Sequence, residues 1–328
     1  MRIAFFGSDA IALPALEYIH WAEGIELAGV ISQPDRPAGR GRHLHANAVS
    51  AWAKRMGLPL LQPEKPGEEE AAWLRTRHVD LVLVMAYGHL LKKDLLEAPP
   101  RGMWNLHASL LPAYRGASPV ETALACGETV TGVSLMRIVA KMDAGPVAAQ
   151  VHVPIRNTDT APILRERIGH ACVPLLERHL AFLGDGLAMP TPQDESHATY
   201  CRKLVKADDK VDFALSAVEL ERRVRAFQPW PGVVVEHEGL DLKVGSAAAL
   251  PEATTAAPGT VLCASEGGVD VATGAGVLRL LALQRPGGRM LEAAEFLRGY
   301  RLEAGALLKS HALRPLVSPT PFPRAAFF

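Results

Sequence analysis

Asp80-Leu81-Val82-Leu83-Val84-Met85, followed at once by Ala86-Tyr87-Gly88, is the stretch on which the fold reading turns. A strand with one wet face alternates polar and apolar side chains, and this run does not alternate. Both of its faces must therefore be covered, as in a parallel sheet flanked by helices. Residues 2–6, 26–32 and 103–107 read as companion strands, with helices expected over 11–21, 47–56 and 68–77. The last of these begins Glu68-Glu69-Glu70, acids that complement the positive end of a helix dipole. Residues 130–139 and 147–155 read as a later strand pair, and 161–182 as a helix with Pro162 in its first turn. Alternating strands and helices predict an α/β domain built on an open sheet of nucleotide-binding, Rossmann-like type.

Just outward from that core lies Asn105-Leu106-His107-Ala108-Ser109-Leu110-Leu111-Pro112-Ala113-Tyr114-Arg115-Gly116. In a strand, residues i and i+2 share a face, so Asn105 and His107 would point into one space and Leu106 away from it. An amide donor beside a titratable imidazole suits a carbonyl carbon that passes through an oxyanionic intermediate. A carboxylate is available downstream, in Met142-Asp143-Ala144-Gly145. Ligands of open α/β sheets sit outside the carboxyl ends of the strands, and Tyr87, Gly88, Asn105, His107 and Asp143 all fall at or past predicted strand ends. The plain alternatives are a structural histidine, a turn asparagine and a turn acid before a glycine. Gly7-Ser8 lacks the Gly-x-Gly-x-x-Gly spacing, so neither NAD nor ATP is assigned.

The second half reads differently. Pro190, Pro192 and the polar run Gln193-Asp194-Glu195-Ser196 suggest a linker over 189–208. Helical spacing follows over 217–227, stopped by Gln228-Pro229-Trp230-Pro231-Gly232. Short strands at 233–237, 240–244, 259–263, 269–272 and 277–283, separated by glycine turns, predict a small OB-like β-barrel over 209–314. A Pro-rich tail, 315–328, is expected to be loosely held. The catalytic α/β domain would then span 1–188.

Bulk properties narrow the function classes. With 328 residues and 48% hydrophobic side chains, the chain can bury two domain cores. Its 35 basic and 35 acidic residues cancel, so no global field drives it onto nucleic acid or membrane. From Asp209 onward the balance is also even, 13 acids against 13 bases, so any RNA contact there needs a local patch such as Arg222-Arg223-x-Arg225 or Arg285 with Arg289. The four cysteines include no Cys-x-x-Cys, which argues against a zinc site or disulfide framework and fits a reducing cytoplasm. His43-x-His45 lacks a third ligand nearby, so no metal is expected. No apolar run is long enough to span a bilayer.

The string Asn-Leu-His-x-Ser-Leu-Leu-Pro-x-Tyr-Arg-Gly followed by Asp143 resembles the signature of 10-formyltetrahydrofolate-dependent formyltransferases. Ser32-Gln33-Pro34-Asp35-Arg36-Pro37-Ala38-Gly39-Arg40-Gly41-Arg42, Ala226-Phe227-Gln228-Pro229-Trp230-Pro231 and 291–299 narrow the resemblance to the methionyl-tRNA formyltransferase family, over residues 2–312. The resemblance implies transfer of formyl from 10-formyltetrahydrofolate to the α-amine of initiator methionyl-tRNA, by a cytoplasmic monomer. It implies catalytic roles for Asn105, His107 and Asp143, with Asn105 donating to the developing oxyanion, His107 donating to the same oxygen or moving a proton, and Asp143 orienting the imidazole. It implies a formyl-folate site from Tyr87, Gly88, His89, Leu90, Ser109, Leu110, Leu111, Pro112 and Val139, and a tRNA-contacting finger carrying Arg36, Arg40 and Arg42. Arg115 is expected to anchor its loop. His89 and Ala144 depart from the family pattern, which more often has an apolar or amide residue and a threonine there. The competing readings are a formyltransferase on another amine, such as an amino-sugar nucleotide or glycinamide ribonucleotide, a formyl-folate hydrolase, and an RNA-binding protein on the same scaffold.

Overall fold

The structure is a computed structural model that describes residues 1–38 and 43–323. Its first half is organised by seven strands: β1 (Arg2–Gly7), β2 (Glu26–Ile31), β3 (Leu60–Leu61), β4 (Leu81–Met85), β5 (Met103–His107), β6 (Val130–Arg137) and β7 (Val147–Pro154). They lie in the order β7-β6-β5-β4-β1-β2-β3. β1 to β5 pair in parallel, whereas β6 pairs antiparallel with both β5 and β7. The apolar run that predicted a two-sided strand is β4, buried at every residue. Its alternation sorts the core: Leu81, Leu83 and Met85 join the apolar cluster on one face, Val82 and Val84 that on the other. β1 divides likewise, with Ile3 and Phe5 on one side and Ala4 and Phe6 opposite.

Helices α1 (Leu13–Trp21), α2 (Ala48–Arg55), α3 (Glu68–Thr76), α4 (Pro119–Cys126) and α5 (Ala161–Asp185) cover the sheet. From β1 the chain winds outward through β2 and β3, then returns to lay β4 and β5 on the opposite flank. The reversal leaves a crevice where the carboxyl ends of β1 and β4 sit side by side, Gly7 against Met85. Such a switch point is where this architecture binds ligands. β3, α4 and a small hairpin of Arg36–Ala38 with His43–His45 are additional to the sequence reading. Leu60–Leu61, two residues long, is too short to show a period.

The second half begins with α6 (Ala217–Ala226), whose start is fixed by a reciprocal cap: Glu219 N–H donates to Ser216 Oγ and Ser216 N–H donates to Glu219 Oε2. Strands β8 (Val233–His237), β9 (Leu240–Leu250), β10 (Val261–Ser265), β11 (Gly268–Ala272) and β12 (Val277–Gln284) form an antiparallel sheet ordered β8-β9-β12-β11-β10. Register shifts in β9 between Val244 and Ala247 let it bend. Beyond α7 (Ala293–Gly299), the chain joins the two edges: Lys309 bridges Glu236 of β8, and Leu307 bridges Thr260 beside β10. The five strands anticipated from the sequence are thus present, in a β-rich domain of barrel-like closure.

The 189–208 segment and part of the tail, both read as loose from composition, are tied down, while residues 324–328 of that tail lie outside the described residues. Thr191 and Val147 exchange both main-chain hydrogen bonds, each 2.9 Å. Tyr200–Cys201 pairs in parallel with Arg115–Gly116 and antiparallel with Val317–Ser318. Arg202 grips Asp208 through two bonds of 2.7 and 2.6 Å and donates to the Pro315 carbonyl at 2.8 Å. Polarity showed only that these residues tolerate water, because their partners lie far away in the chain. α6 packs on α4, and Leu204, Phe213, Leu220 and Phe227 join the apolar cluster under the sheet, so one core runs through both halves. Among the described residues no helix is long and apolar enough to cross a membrane.

Candidate active site

β5 is an interior strand, with Asn105 in register with Val84 on one side and Met136 on the other, and His107 opposite Ser134. Leu106 joins the core, while Asn105 and His107 line a cavity of about 480 Å³ at the crevice. That volume suits a small organic ligand. Its walls come from residues 84–91 after β4, from 116–121 entering α4, and from Met136 to Asp143 after β6. Lys203, Leu204 and Trp230 reach it from the second half.

Asn105, His107 and Asp143 meet there. His107 is buried, and its Nε2 lies 3.0 Å from the Tyr114 carbonyl. A carbonyl only accepts, so Nε2 carries the hydrogen and the neutral ring keeps its lone pair on Nδ1. Nδ1 stands 3.8 Å from Asp143 Oδ2, the same oxygen that accepts the Gly116 N–H at 2.9 Å. Among the described residues none hydrogen-bonds the Asn105 carboxamide, which leaves both its N–H groups for a ligand. Asp143 adopts a left-handed backbone, φ 48°, that few non-glycine residues take. Close beside it, a Cβ on Gly145 would stand 1.8 Å from the Arg137 carbonyl oxygen, so the loop can pass there only as glycine.

Tyr87, Gly88, His89, Leu90 and Val139 all line the cavity. Gln33 shapes this wall. Its amide donates to the Tyr87 carbonyl at 2.8 Å, and Asn47, the cap of α2, donates to the Gln33 carbonyl at 2.9 Å. Gly88 has φ +76°, and a Cβ there would lie 2.6 Å from Gln33 Nε2. Beyond it, the main-chain groups of residues 88–91 hydrogen-bond no described residue. The buried Nε2 of His89 likewise has no partner among the described residues. Burial, aided by the nearby Arg36 charge, lowers the His89 pKa, so the ring is a neutral polar group in the wall. These unpaired main-chain groups, with the buried His89 Nε2 beside them, leave donors and acceptors free at the cavity wall for a planar polar ligand.

Ser109, Leu110, Leu111 and Pro112 are placed differently from the sequence expectation: none of them lines the cavity. Ser109 is fully buried, its hydroxyl donating to the Ala113 carbonyl at 2.6 Å and its carbonyl accepting from Ser134 Oγ at 2.7 Å. Leu111 donates its N–H to Ser134 Oγ, and its carbonyl accepts from Gln150. With those groups consumed, the turn serves as a brace that presents Tyr114 to His107. Arg115 anchors its loop as anticipated. It is 0% exposed and donates to Gln193, Glu195 and Tyr200. Arg115, joined by Lys141, holds the Glu195 carboxyl at about 2.

Arg36 opens the small hairpin and pairs with Glu64 through bonds of 2.9 and 2.5 Å, both side chains mostly exposed. Arg40 and Arg42 lie outside the described residues. The suggested stripe Arg222-Arg223-x-Arg225 does not form. Arg223 is buried with its guanidinium over Phe227, and Arg225 is bound by Glu221 and the Asp159 carbonyl. Arg285 and Arg289 stay exposed, donating to the Gly299 carbonyl and to Glu295 respectively. Sequence reasoning also missed Gln33, Gln193, and Arg165 with its two acids, Asp9 and Glu121, each at 2.7 Å on the cavity's far wall. Gln33 sits inside a quoted motif and could have been found. The others had no local signal. Among the described residues no three acid, histidine or cysteine side chains gather to hold a metal ion.

Comparison with known proteins bears directly on this arrangement. Residues 1–179 match the family described as Formyl transferase, and residues 203–301 match Formyl transferase, C-terminal domain. A methionyl-tRNA formyltransferase of Stenotrophomonas maltophilia is 43% identical over 309 residues, covering 93% of this chain and 100% of the relative. That of Sorangium cellulosum is 43% identical over 311 residues, covering 94% and 99%. Among solved structures, an N-formyltransferase from Helicobacter canadensis in complex with folinic acid and dTDP-3-aminofucose shares the fold, with a TM-score of 0.64 at 18% identity, covering 85% of this chain and 98% of its own. The sugar 3N-formyl transferase WlaRD superposes with a TM-score of 0.63 at 17% identity, covering 87% and 97%. Identity at that level speaks for the fold alone, whereas the full-length matches above 40% carry the assignment: this chain belongs to the methionyl-tRNA formyltransferase family.

Proposed function

We propose that this chain transfers the formyl group of 10-formyltetrahydrofolate to the α-amine of initiator methionyl-tRNA, with Asn105, His107 and Asp143 as its catalytic residues. The observation that carries the reading is the meeting of those three side chains in one cavity whose opposite wall offers unpaired main-chain groups at 88–91. The folate, when bound, would supply the formyl group as an amide on its nitrogen, a carbonyl that needs an oxyanion donor and proton transfer before an amine can displace that nitrogen. Tyr87, Gly88, His89, Leu90 and Val139 would hold it, with the unpaired wall groups taking the polar edges of its ring.

Asn105 then donates to the formyl oxygen as negative charge gathers there. A donor already fixed in a strand needs no reorganisation to do so. His107 has spent Nε2 on Tyr114, so proton transfer falls to Nδ1, which would accept the proton lost by the attacking amine and deliver it to the folate nitrogen as the bond from that nitrogen to the formyl carbon breaks. Asp143, 3.8 Å away, stabilises the resulting imidazolium. The geometry therefore favours proton transfer over oxyanion donation among the two roles considered for His107.

The segment carrying Arg36, Arg40 and Arg42 is the one we assign to the acceptor end of the tRNA, because guanidinium groups match phosphates and stack on bases. Trp230 and Lys203 bring the second half to the cavity rim and so give the acceptor a mouth between the two halves. A cytoplasmic monomer is the setting this reading implies. The test is direct: purified protein is given 10-formyltetrahydrofolate with methionyl-initiator tRNA, or with an amino-sugar nucleotide, or with water alone. Formylation confined to the tRNA supports the proposal. Formylation of the sugar, or folate hydrolysis without an acceptor, overturns it.

A further inference from the structure

We propose that Gln193 is a positioning residue for Asp143, acting through the main chain of the 143–145 loop. The inference rests on the catalytic reading of Asp143 given above. Gln193 Nε2 donates one hydrogen to the Asp143 carbonyl at 2.8 Å and the other to the Gly145 carbonyl at 2.7 Å. Its Oε1 accepts from Arg115 Nε at 3.1 Å and Nη2 at 2.8 Å. Since a guanidinium can only donate, the amide oxygen must face Arg115 and the nitrogen must face the two carbonyls. Every strong hydrogen-bonding direction of this carboxamide is used, and all its donation goes to the catalytic loop.

The clamp closes a ring. Arg115 is followed by Gly116, whose N–H holds the Asp143 carboxylate at 2.9 Å. Asp143 is thus gripped at its carboxylate by Gly116 and at its carbonyl by Gln193, and both grips hang on the fully buried Arg115. Between them the residue keeps its left-handed backbone, φ 48°, from which a free loop of this composition would relax. Gln193 is itself placed by the reciprocal pairing of Thr191 with Val147 and by Glu195, which binds Arg115 and Lys141. The segment that leads into the second half therefore works as a strap across the catalytic loop.

The experiment uses the full-length enzyme in steady-state turnover, with formyl donor and methionyl-tRNA each varied across its KM while the other is saturating. Gln193→Glu keeps size and the acceptor toward Arg115 but sets a carboxylate against two carbonyl oxygens. Gln193→Met removes the amide without adding charge, and serves if the first variant folds poorly. Each is expected to lower kcat about 10- to 100-fold, the loss typical of a reacting group displaced by about 1 Å. KM for either substrate should stay within about threefold, as should be so for a residue that touches neither. In an Asp143→Asn background the same substitutions should lower the rate by less than about twofold, because the group they position is already gone. Near-wild-type kcat in both single variants, or a full multiplicative loss in the Asp143→Asn background, overturns the inference. If Asp143→Asn alone keeps nearly the wild-type rate, the catalytic reading of Asp143 is what fails.

Discussion

Replacing Asn105 by Asp isolates one hydrogen-bond donor with little else disturbed. The residue lies in an interior strand, its backbone paired with Val84 and Met136, so the substitution has no freedom to move the main chain. No described residue bonds its carboxamide, so no internal hydrogen bond is lost. The side chains match in size, and an oxygen takes the place of the donating nitrogen. What disappears is a fixed donor to the formyl oxygen, worth about 2.7–4 kcal/mol, or about 100- to 1000-fold in rate. Stability should change little. A half-buried carboxylate open to a cavity costs about 1–3 kcal/mol, and for 328 residues an unfolding entropy near 2.1 cal/mol/K per residue converts that to about 1.5–4 °C of Tm. The assay is rapid-quench single turnover with enzyme in excess over methionyl-tRNA, paired with thermal unfolding and tRNA binding. A loss below about fivefold at saturation refutes the assigned role of Asn105. A Tm fall beyond about 8 °C would show that the rate loss comes from the fold.

Other outcomes follow from the same geometry. Gly88→Ala forces a left-handed alanine whose Cβ would lie 2.6 Å from Gln33 Nε2, a strain of about 1–3 kcal/mol; KM for the formyl donor should rise about tenfold with kcat within about threefold, and an unchanged KM would contradict the placement of the folate against this wall. Asp208→Asn breaks a buried bidentate pair with Arg202 and should cost about 3–5 kcal/mol, or about 4–7 °C of Tm by the same conversion. In the wild type, burial pushes the Asp208 carboxyl up but Arg202 and the Val205 N–H hold it low overall. Its stabilisation is therefore complete above the unfolded value of about 3.9 and fades as pH falls through the lower folded one; urea unfolding at pH 7 and pH 3 should differ more in the wild type than in the variant. Glu195, held at about 2 by Arg115 and Lys141, should show a carboxyl NMR titration midpoint near that value, keeping the strap's ionic tie until pH drops through it. A midpoint in the ordinary carboxylate range would mean that Glu195 is not engaged with Arg115.

Much of the molecule was legible along the chain. An unbroken apolar run at 81–85 can satisfy its faces only between two helical layers, and period-two geometry sends Asn105 and His107 to one side whatever the neighbours are. Those are local rules, and they placed the parallel sheet, its carboxyl edge and two of the three catalytic candidates. Five short strands in the second half announced themselves by their turns. Motif strings supplied the chemistry by resemblance, including Asp143, which no periodicity would have singled out.

Tertiary structure decided what depends on partners distant in sequence. Whether the 189–208 segment hung free or crossed the 143–145 loop turned on Arg115, Val147 and Asp143, from 40 to 80 residues away. The Ser109–Pro112 turn read as a ligand contact until its polar groups were found spent on Ser134, Ala113 and Gln150. Arg223 looked like a surface cation and is a core residue, because the helix face that carries it packs across both halves. Local rules set where a side chain points, but a hydrogen bond or a buried charge is settled only when the chain has folded and shown which distant group meets it.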